Sequence, residues 1–402
     1  MPLRLRYSIG VFGSFTLLDV AIVAIGFFTF VSLIIRGGSL RRGDPAVGLL
    51  LAVPLFVCAL SIMWSDDLNA TFRQSGILAE AVLAYWLAIN LFRNITADGV
   101  FRYMALFVML LFLGSLLSLL QVHGFQPATN DLVEGSPEYL AFLAAYYARL
   151  GNPFYGLSND FATVLALFIF PFLAWSGITK RPPYMVLSAL SFAAVVLTQS
   201  RGALVATIVG GVVFLWTQRR RFTRWLPSFI LGMVVTTSAG YIYYKLSEPV
   251  QTYLADRLAM TNIQDRMELL SAAFDRLSDA PVLGYGGGVL PGGDAQLADG
   301  VHNTYLQQML YYGIPLGVFI TLALSLVAVR FFRWPVRGPI GGTLASAVGV
   351  TVLVQLIAYL GETSFEATLP KTAFYLVVAL CVIALQGVSL REDPARRMGY
   401  PR

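Results

Sequence analysis

The sequence predicts an all-α integral membrane protein: a polytopic bundle of about eleven or twelve transmembrane helices with a helical loop cap on one side. Three observations predict it. The chain has 402 residues, of which 57% are hydrophobic and only 12% charged, and its mean hydropathy is +0.70. Apolar runs of about 20 residues, the length a spanning helix needs, recur from end to end. Lysine and arginine are shared unequally between alternate loops, as orientation in a membrane requires. A soluble globule is excluded.

The apolar runs place spans at roughly 10–35, 46–64, 75–92, 101–122, 159–176, 183–199, 202–217, 225–244, 313–332, 338–361 and 370–388. A break in the first of these around Asp19 would add one more. No short apolar segment ends in a small-residue cleavage site, so no removable signal peptide is expected. Cys58 and Cys381 both fall inside apolar runs and read as small packing residues. Neither a disulfide framework nor a metal motif is available to them. The pI near 9.3 does not point to nucleic acid, because the basic residues are scattered between spans. Topology explains them better.

Arg36, Arg41, Arg42, Arg93, Arg102, Lys180, Arg181, Arg219, Arg220, Arg221, Arg224, Arg330, Arg333, Arg337, Arg391, Arg396 and Arg397 share one predicted side. The opposite loops hold Arg73, Arg149, Arg201, Lys245, Arg257, Arg266, Arg276 and Lys371. The crowded side is predicted to be cytoplasmic, with Trp175, Trp216, Trp225 and Trp334 as interfacial anchors at its helix ends. Residues 1–244 then form the first eight spans, with a small outer loop at 123–158. Residues 245–312 form the larger outer loop, 313–390 the C-terminal spans and 391–402 a cytoplasmic tail. No internal repeat is evident, which weighs against an inverted-repeat transporter.

The polar heart of the chain runs from Gln264 to Leu316. Met267, Leu270, Phe274 and Leu277 recur at three- and four-residue steps, which predicts an amphipathic helix with these side chains on one face. Pro281 ends it. The glycines from Gly284 to Gly288 then make a tight turn able to approach a ligand closely. His302 follows at the start of another helix, which runs directly into an apolar span.

Within this layout a few residues stand out chemically. Arg201, in Gln199-Ser200-Arg201-Gly202, occupies the tight outward link between two spans, and no acid flanks it in the sequence. A snorkelling arginine would explain it blandly. Against that, the outward side should be poor in arginine, and an arginine near the midplane costs about 2.5–3.5 kcal/mol on insertion scales. An anionic ligand is the sharper explanation. Arg266 and Arg276 either pair with nearby Asp265, Glu268, Asp275 or Asp279, or present planar forks to a diphosphate. Of the two histidines, His123 reads as structural, while His302 beside Asn303 suits a proton acceptor near neutrality. Asp19 and Glu80 read as hydrogen-bonded groups inside the bundle. No HExxH, paired-carboxylate or P-loop pattern appears, and no spacing argues for a metal.

These residues resemble the bacterial O-antigen ligase and O-antigen polymerase family. The resemblance rests on Ser200-Arg201-Gly202-Ala203 opening a span, then Asp265-Arg266 and a helix in a long outer loop. Pro281-Val282-Leu283-Gly284-Tyr285-Gly286 and His302-Asn303-Thr304-Tyr305-Leu306-Gln307 follow, ahead of Gly313. Trp64-Ser65 and Gly151-Asn152-Pro153 add looser support upstream. One departure is visible: Tyr311-Tyr312 precede Gly313, where family members often carry an acidic residue.

The resemblance implies a multispanning glycosyltransferase of the GT-C-like class in the bacterial inner membrane, with a periplasmic active site. It implies a glycan donor on undecaprenyl diphosphate, transfer with inversion to an acceptor hydroxyl, and no metal or cofactor. The acceptor would be a lipid-linked glycan or lipid A-core, in O-antigen or exopolysaccharide assembly. A chain-length regulator protein is a compatible partner. On this reading His302 is the catalytic base, and Arg201, Arg266 and Arg276 bind the diphosphate. The moderate outer loop, without a dedicated acceptor domain, leans toward polymerase over ligase. A flippase for lipid-linked oligosaccharide and a non-catalytic assembly subunit stay open as rivals.

Overall fold

The structure is a computed structural model. It describes residues 7–8, 14–15, 44–92, 94–120, 158–218, 261–289, 301–335, 338–361 and 368–392, together with the isolated helical positions Gly232, Val234 and Ser238. Near the start of the chain, β1 (Tyr7–Ser8) pairs antiparallel with β2 (Ser14–Phe15). The span expected at 10–35 is therefore not helical at Ser14–Phe15, and its remainder lies outside the described residues. So do the outer loop at 123–157, with His123 and Arg149, and nearly all of the span expected at 225–244.

The other described elements are helices: α1 (Pro45–Ser61), α2 (Leu68–Leu91), α3 (Ala97–Leu119), α4 (Ser158–Thr179) and α5 (Pro182–Leu197), then α6 (Arg201–Thr217), α7 (Thr261–Asp279), α8 (Thr304–Phe332), α9 (Pro339–Ala358) and α10 (Thr368–Glu392). Six of these are long and apolar enough to cross a membrane, and α1, α5 and α6 are shorter apolar helices. The protein is a polytopic helical membrane protein, as the sequence predicts.

Local chemistry explains where helices begin. Asp44 accepts from Val47 N–H at 3.0 Å and starts α1. Asp67 accepts from the N–H groups of Asn69 and Ala70 and starts α2. Thr96, Ser200 and Asn303 cap α3, α6 and α8 in the same way. Proline opens α1, α5 and α9, where a missing N–H does no harm.

Packing then sorts the helices by depth. The apolar stretch of α4 is 89% buried, with Phe161, Phe168, Phe170 and Phe172 all enclosed, so α4 sits at the centre of the bundle. Only small residues allow such close approach in lipid, where burial between helices gains little hydrophobic energy. A Cβ on Gly210 of α6 would lie 2.3 Å from Val354 of α9. Some buried polar groups find backbone partners across the bundle, as Gln355 Nε2 does with Thr163 O at 2.6 Å. α3, by contrast, leaves Leu106, Met109, Leu113 and Leu116 exposed, an apolar face suited to lipid.

Ion pairs mark one end of the bundle. Arg330 Nη2, late in α8, donates to Asp44 Oδ2 at 2.6 Å, and its guanidinium lies 5.3 Å from the Trp334 ring centre. Arg181 and Arg102 meet at Asp98, which holds the Arg181 guanidinium above its usual range. The described part of the polar stretch gathers at the other end of α1 and α8.

Candidate functional site

The site is built on a broken helix. Gly313 interrupts α8 with φ 78° and ψ 165°, and Pro315 follows without an N–H. The break would strand the carbonyls of Leu310 and Tyr311. The glycine turn supplies the missing donors: Tyr285 N–H reaches Leu310 O at 3.0 Å and Gly286 N–H reaches Tyr311 O at 2.8 Å. In return, Ile314 N–H donates to Pro281 O at 2.8 Å. Turn and helix complete each other.

A second set of bonds holds the turn from its far side. Trp64 Nε1 donates to Leu283 O at 2.6 Å, Asp66 N–H to Tyr285 O at 3.0 Å, and Gly287 N–H to Ser61 Oγ at 3.0 Å. Ser65 Oγ shares a 2.6 Å hydrogen bond with Thr71 Oγ1. The link between α1 and α2 therefore clamps the turn against α8. Trp64-Ser65 was legible only as a family-like dipeptide. Ser61 gave no signal at all.

α7 leads into the turn and packs on the first half of α8. Ala273 and Leu277 are buried there against Leu306 and Leu310, with Leu269 and Leu270 alongside. This corrects the predicted face. Met267 and Phe274, expected on the same buried stripe, are exposed, because the contact is centred on Ala273 rather than Phe274. Tyr285 OH donates to Arg276 O at 2.9 Å. Burial pushes the Tyr285 phenol above its ordinary range and Asp279 adds to this, so the donor keeps its proton.

Of the predicted site residues, Arg276 lies in α7 with its Nη1 3.9 Å from Asp279 Oδ2, the arginine half-buried and the aspartate exposed. Arg266 also falls in α7, and its side chain lies outside the description. His302 sits just before the Asn303 cap of α8, at φ 50°. Histidine tolerates this left-handed region better than most residues do, and such positions gather at functional sites. Asn303 Oδ1 accepts from Leu306 N–H at 3.0 Å and fixes the helix start behind it.

Arg201 opens α6 with an exposed side chain. Its position is tightly set. Thr198 and Ser200 are buried on either side of Gln199, which takes φ 57° to turn the chain between α5 and α6. The ends of these segments meet at a place the sequence did not flag. Thr304 N–H donates to Tyr359 O at 2.9 Å, at the C-terminal end of α9. Two residues on, a Cβ at Gly361 would lie 3.7 Å from Gly202 Cα. The segments bearing His302 and Arg201 thus both rest on the turn Tyr359–Gly361. Glu80 is buried within α2. Among the described residues, no group of three or more His, Cys, Asp and Glu assembles to hold a metal.

Residues 185–321 match the family model described as O-antigen ligase. Over this segment the chain is similar to that family. The matched segment begins within α5 and takes in α6, α7, the glycine turn and the first half of α8, and so contains Arg201, Arg266, Arg276 and His302. A search of curated proteins returned no match to the chain.

Proposed function

We propose that this protein is a glycosyltransferase that moves a glycan from undecaprenyl diphosphate to an acceptor hydroxyl at the periplasmic face of the inner membrane. The O-antigen ligase match supports ligase- or polymerase-type activity in general. One observation carries the finer reading. The segments bearing a cation, Arg201, and a base, His302, rest on the same short turn at the end of α9.

The chemistry assigned to them is simple. The acceptor oxygen attacks the anomeric carbon, and its proton passes to the neutral His302 imidazole, assistance typically worth about 10²–10⁴-fold. The bond from that carbon to the diphosphate oxygen breaks on the opposite face, giving inversion. Arg201 and Arg266, with Arg276 in a lesser role, stabilise the charge growing on the departing diphosphate. The resemblance implies that no metal shares this work. The polyprenyl tail lies in an apolar slot among the spans, gaining about 0.8 kcal/mol per buried methylene.

Polymerase is the preferred assignment over ligase, because the outer loop is moderate in length and its sequence shows no evident dedicated acceptor domain. The deciding experiment incubates purified protein with lipid-linked repeat units alone, then with core-lipid acceptor added. Laddering without the acceptor means polymerase, and product only with it means ligase. No product under either condition returns the chain to the flippase reading.

A further inference from the structure

The exposed half of the α7 apolar surface has no role in the transfer chemistry. Met267 and Phe274, seven residues apart and therefore on one side of the helix, are 61% and 57% exposed. Glu268, Asp275 and Asp279 lie on a different side and are also exposed. α7 thus has three faces: one packed on α8, one open with Met267 and Phe274 beside the small Ser271 and Ser278, and one acidic and open. A helix surrounded by water would gain nothing from separating the last two.

The open apolar face continues beyond the helix. Gly284 N–H closes a turn onto Ala280 O at 3.1 Å, and within that turn Val282 is 63% exposed, with Leu283 exposed beside it. The Trp64 bond to Leu283 O brings up Met63, which is 83% exposed. The Pro281 bond to Ile314 N–H places the turn where the outward stripe of α8 begins. That stripe is Ile314, Val318, Leu322 and Leu326, at steps of four along a helix long and apolar enough to span the membrane. Lipid chains are the solvent for such a stripe.

We propose that α7 lies in the bilayer boundary, with Met267, Phe274, Val282 and Met63 immersed among lipid acyl chains and the acidic face turned to water. The occupant of the apolar face is the membrane itself. Continuity with the lipid-facing stripe of α8 and the separation of charge on α7 both point there. The proposal concerns placement in the membrane and stands apart from glycan transfer, so either can fail without the other.

The test places single cysteines at F274C, V282C and E268C in the full chain, attaches a nitroxide spin label, and reconstitutes the protein in phosphatidylethanolamine–phosphatidylglycerol vesicles. Native Cys58 and Cys381 are both buried, so unmodified protein serves as the labelling blank. Collisions with oxygen report hydrocarbon, and collisions with a water-soluble nickel chelate report water. Oxygen should exceed nickel several-fold at F274C and V282C, with the order reversed at E268C. M267C replaces F274C if that variant is poorly made. Nickel access at F274C and V282C equal to that at E268C overturns the proposal. Exclusion of both reagents from these sites, the sign of a protein contact such as a second copy, overturns it equally.

Discussion

A side chain on Gly313 would collide with the backbone of Val282: its Cβ would lie 2.0 Å from the Val282 carbonyl oxygen. The break in α8 and the turn that repairs it are therefore one structural unit. Two penalties fall on any other residue there, the contact itself and a φ of 78° that L side chains rarely adopt.

Gly313→Ala should accordingly destabilise the protein by at least about 1–3 kcal/mol, the range for strained backbone positions. Gly76→Ala, in α2 with nothing within 4 Å of the new Cβ, is the matched control and should be neutral or slightly stabilising. Thermal unfolding in detergent compares the two. Equal melting temperatures would mean that turn and helix are not coupled.

Arg201→Ala should abolish most transfer while the protein stays folded in the membrane. Loss of a hydrogen bond to a charged group is worth about 1.5–3 kcal/mol, or roughly 10–100-fold in rate if made only in the transition state. Lysine should rescue partly, since a point charge lacks the guanidinium fork. Arg266→Ala should behave alike and Arg276→Ala more mildly, as its exposed partner Asp279 already occupies it loosely. Normal turnover in a well-expressed Arg201→Ala protein would remove this residue from the mechanism.

His302→Ala should cut turnover strongly and leave donor binding near normal, because the proposed mechanism assigns donor binding to the arginines and the apolar slot. A base must be neutral to accept a proton, so the wild-type rate should fall on the acid side as the imidazole protonates. His302→Gln keeps a hydrogen-bonding side chain without a useful base and should be almost as impaired as Ala. Near-native turnover in His302→Gln would make the residue a holder of the acceptor. Loss of donor affinity together with turnover would place it in the binding site instead.

The far end of the bundle offers a test of stability alone. Asp44 both caps α1 and accepts from Arg330, with side chains 7% and 34% exposed. Arg330→Gln should cost about 1–3 kcal/mol, below the figure for a fully buried pair because water reaches the guanidinium. Asp44→Asn keeps a capping oxygen, and the double variant should lose less than the sum of the singles. Unfolding midpoints for the three variants decide it. Strict additivity would show that the two groups do not interact.

By itself the sequence determined the class of this protein and the places where most described helices lie. Hydropathy is a sum over neighbouring residues, so α2, α4, α9 and α10 could be read from it with only their ends in error. The caps found in the structure act just as locally, Asp44, Ser200 and Asn303 each accepting from an N–H three residues on. The candidate residues Arg201 and His302 were legible because polar groups are conspicuous in an apolar chain. Tertiary structure alone decided how these pieces meet. The stripe on α7 shifted because amphipathic spacing defines an apolar arc, while the partner helix selects which part of that arc it covers. Gly361 can signal a turn, but nothing in the sequence says that Thr304 and Gly202 will pack on the segment Tyr359–Gly361. Backbone bonds such as Thr304 N–H to Tyr359 O exist only once distant segments are brought together, and that closure depends on the packing of the whole bundle.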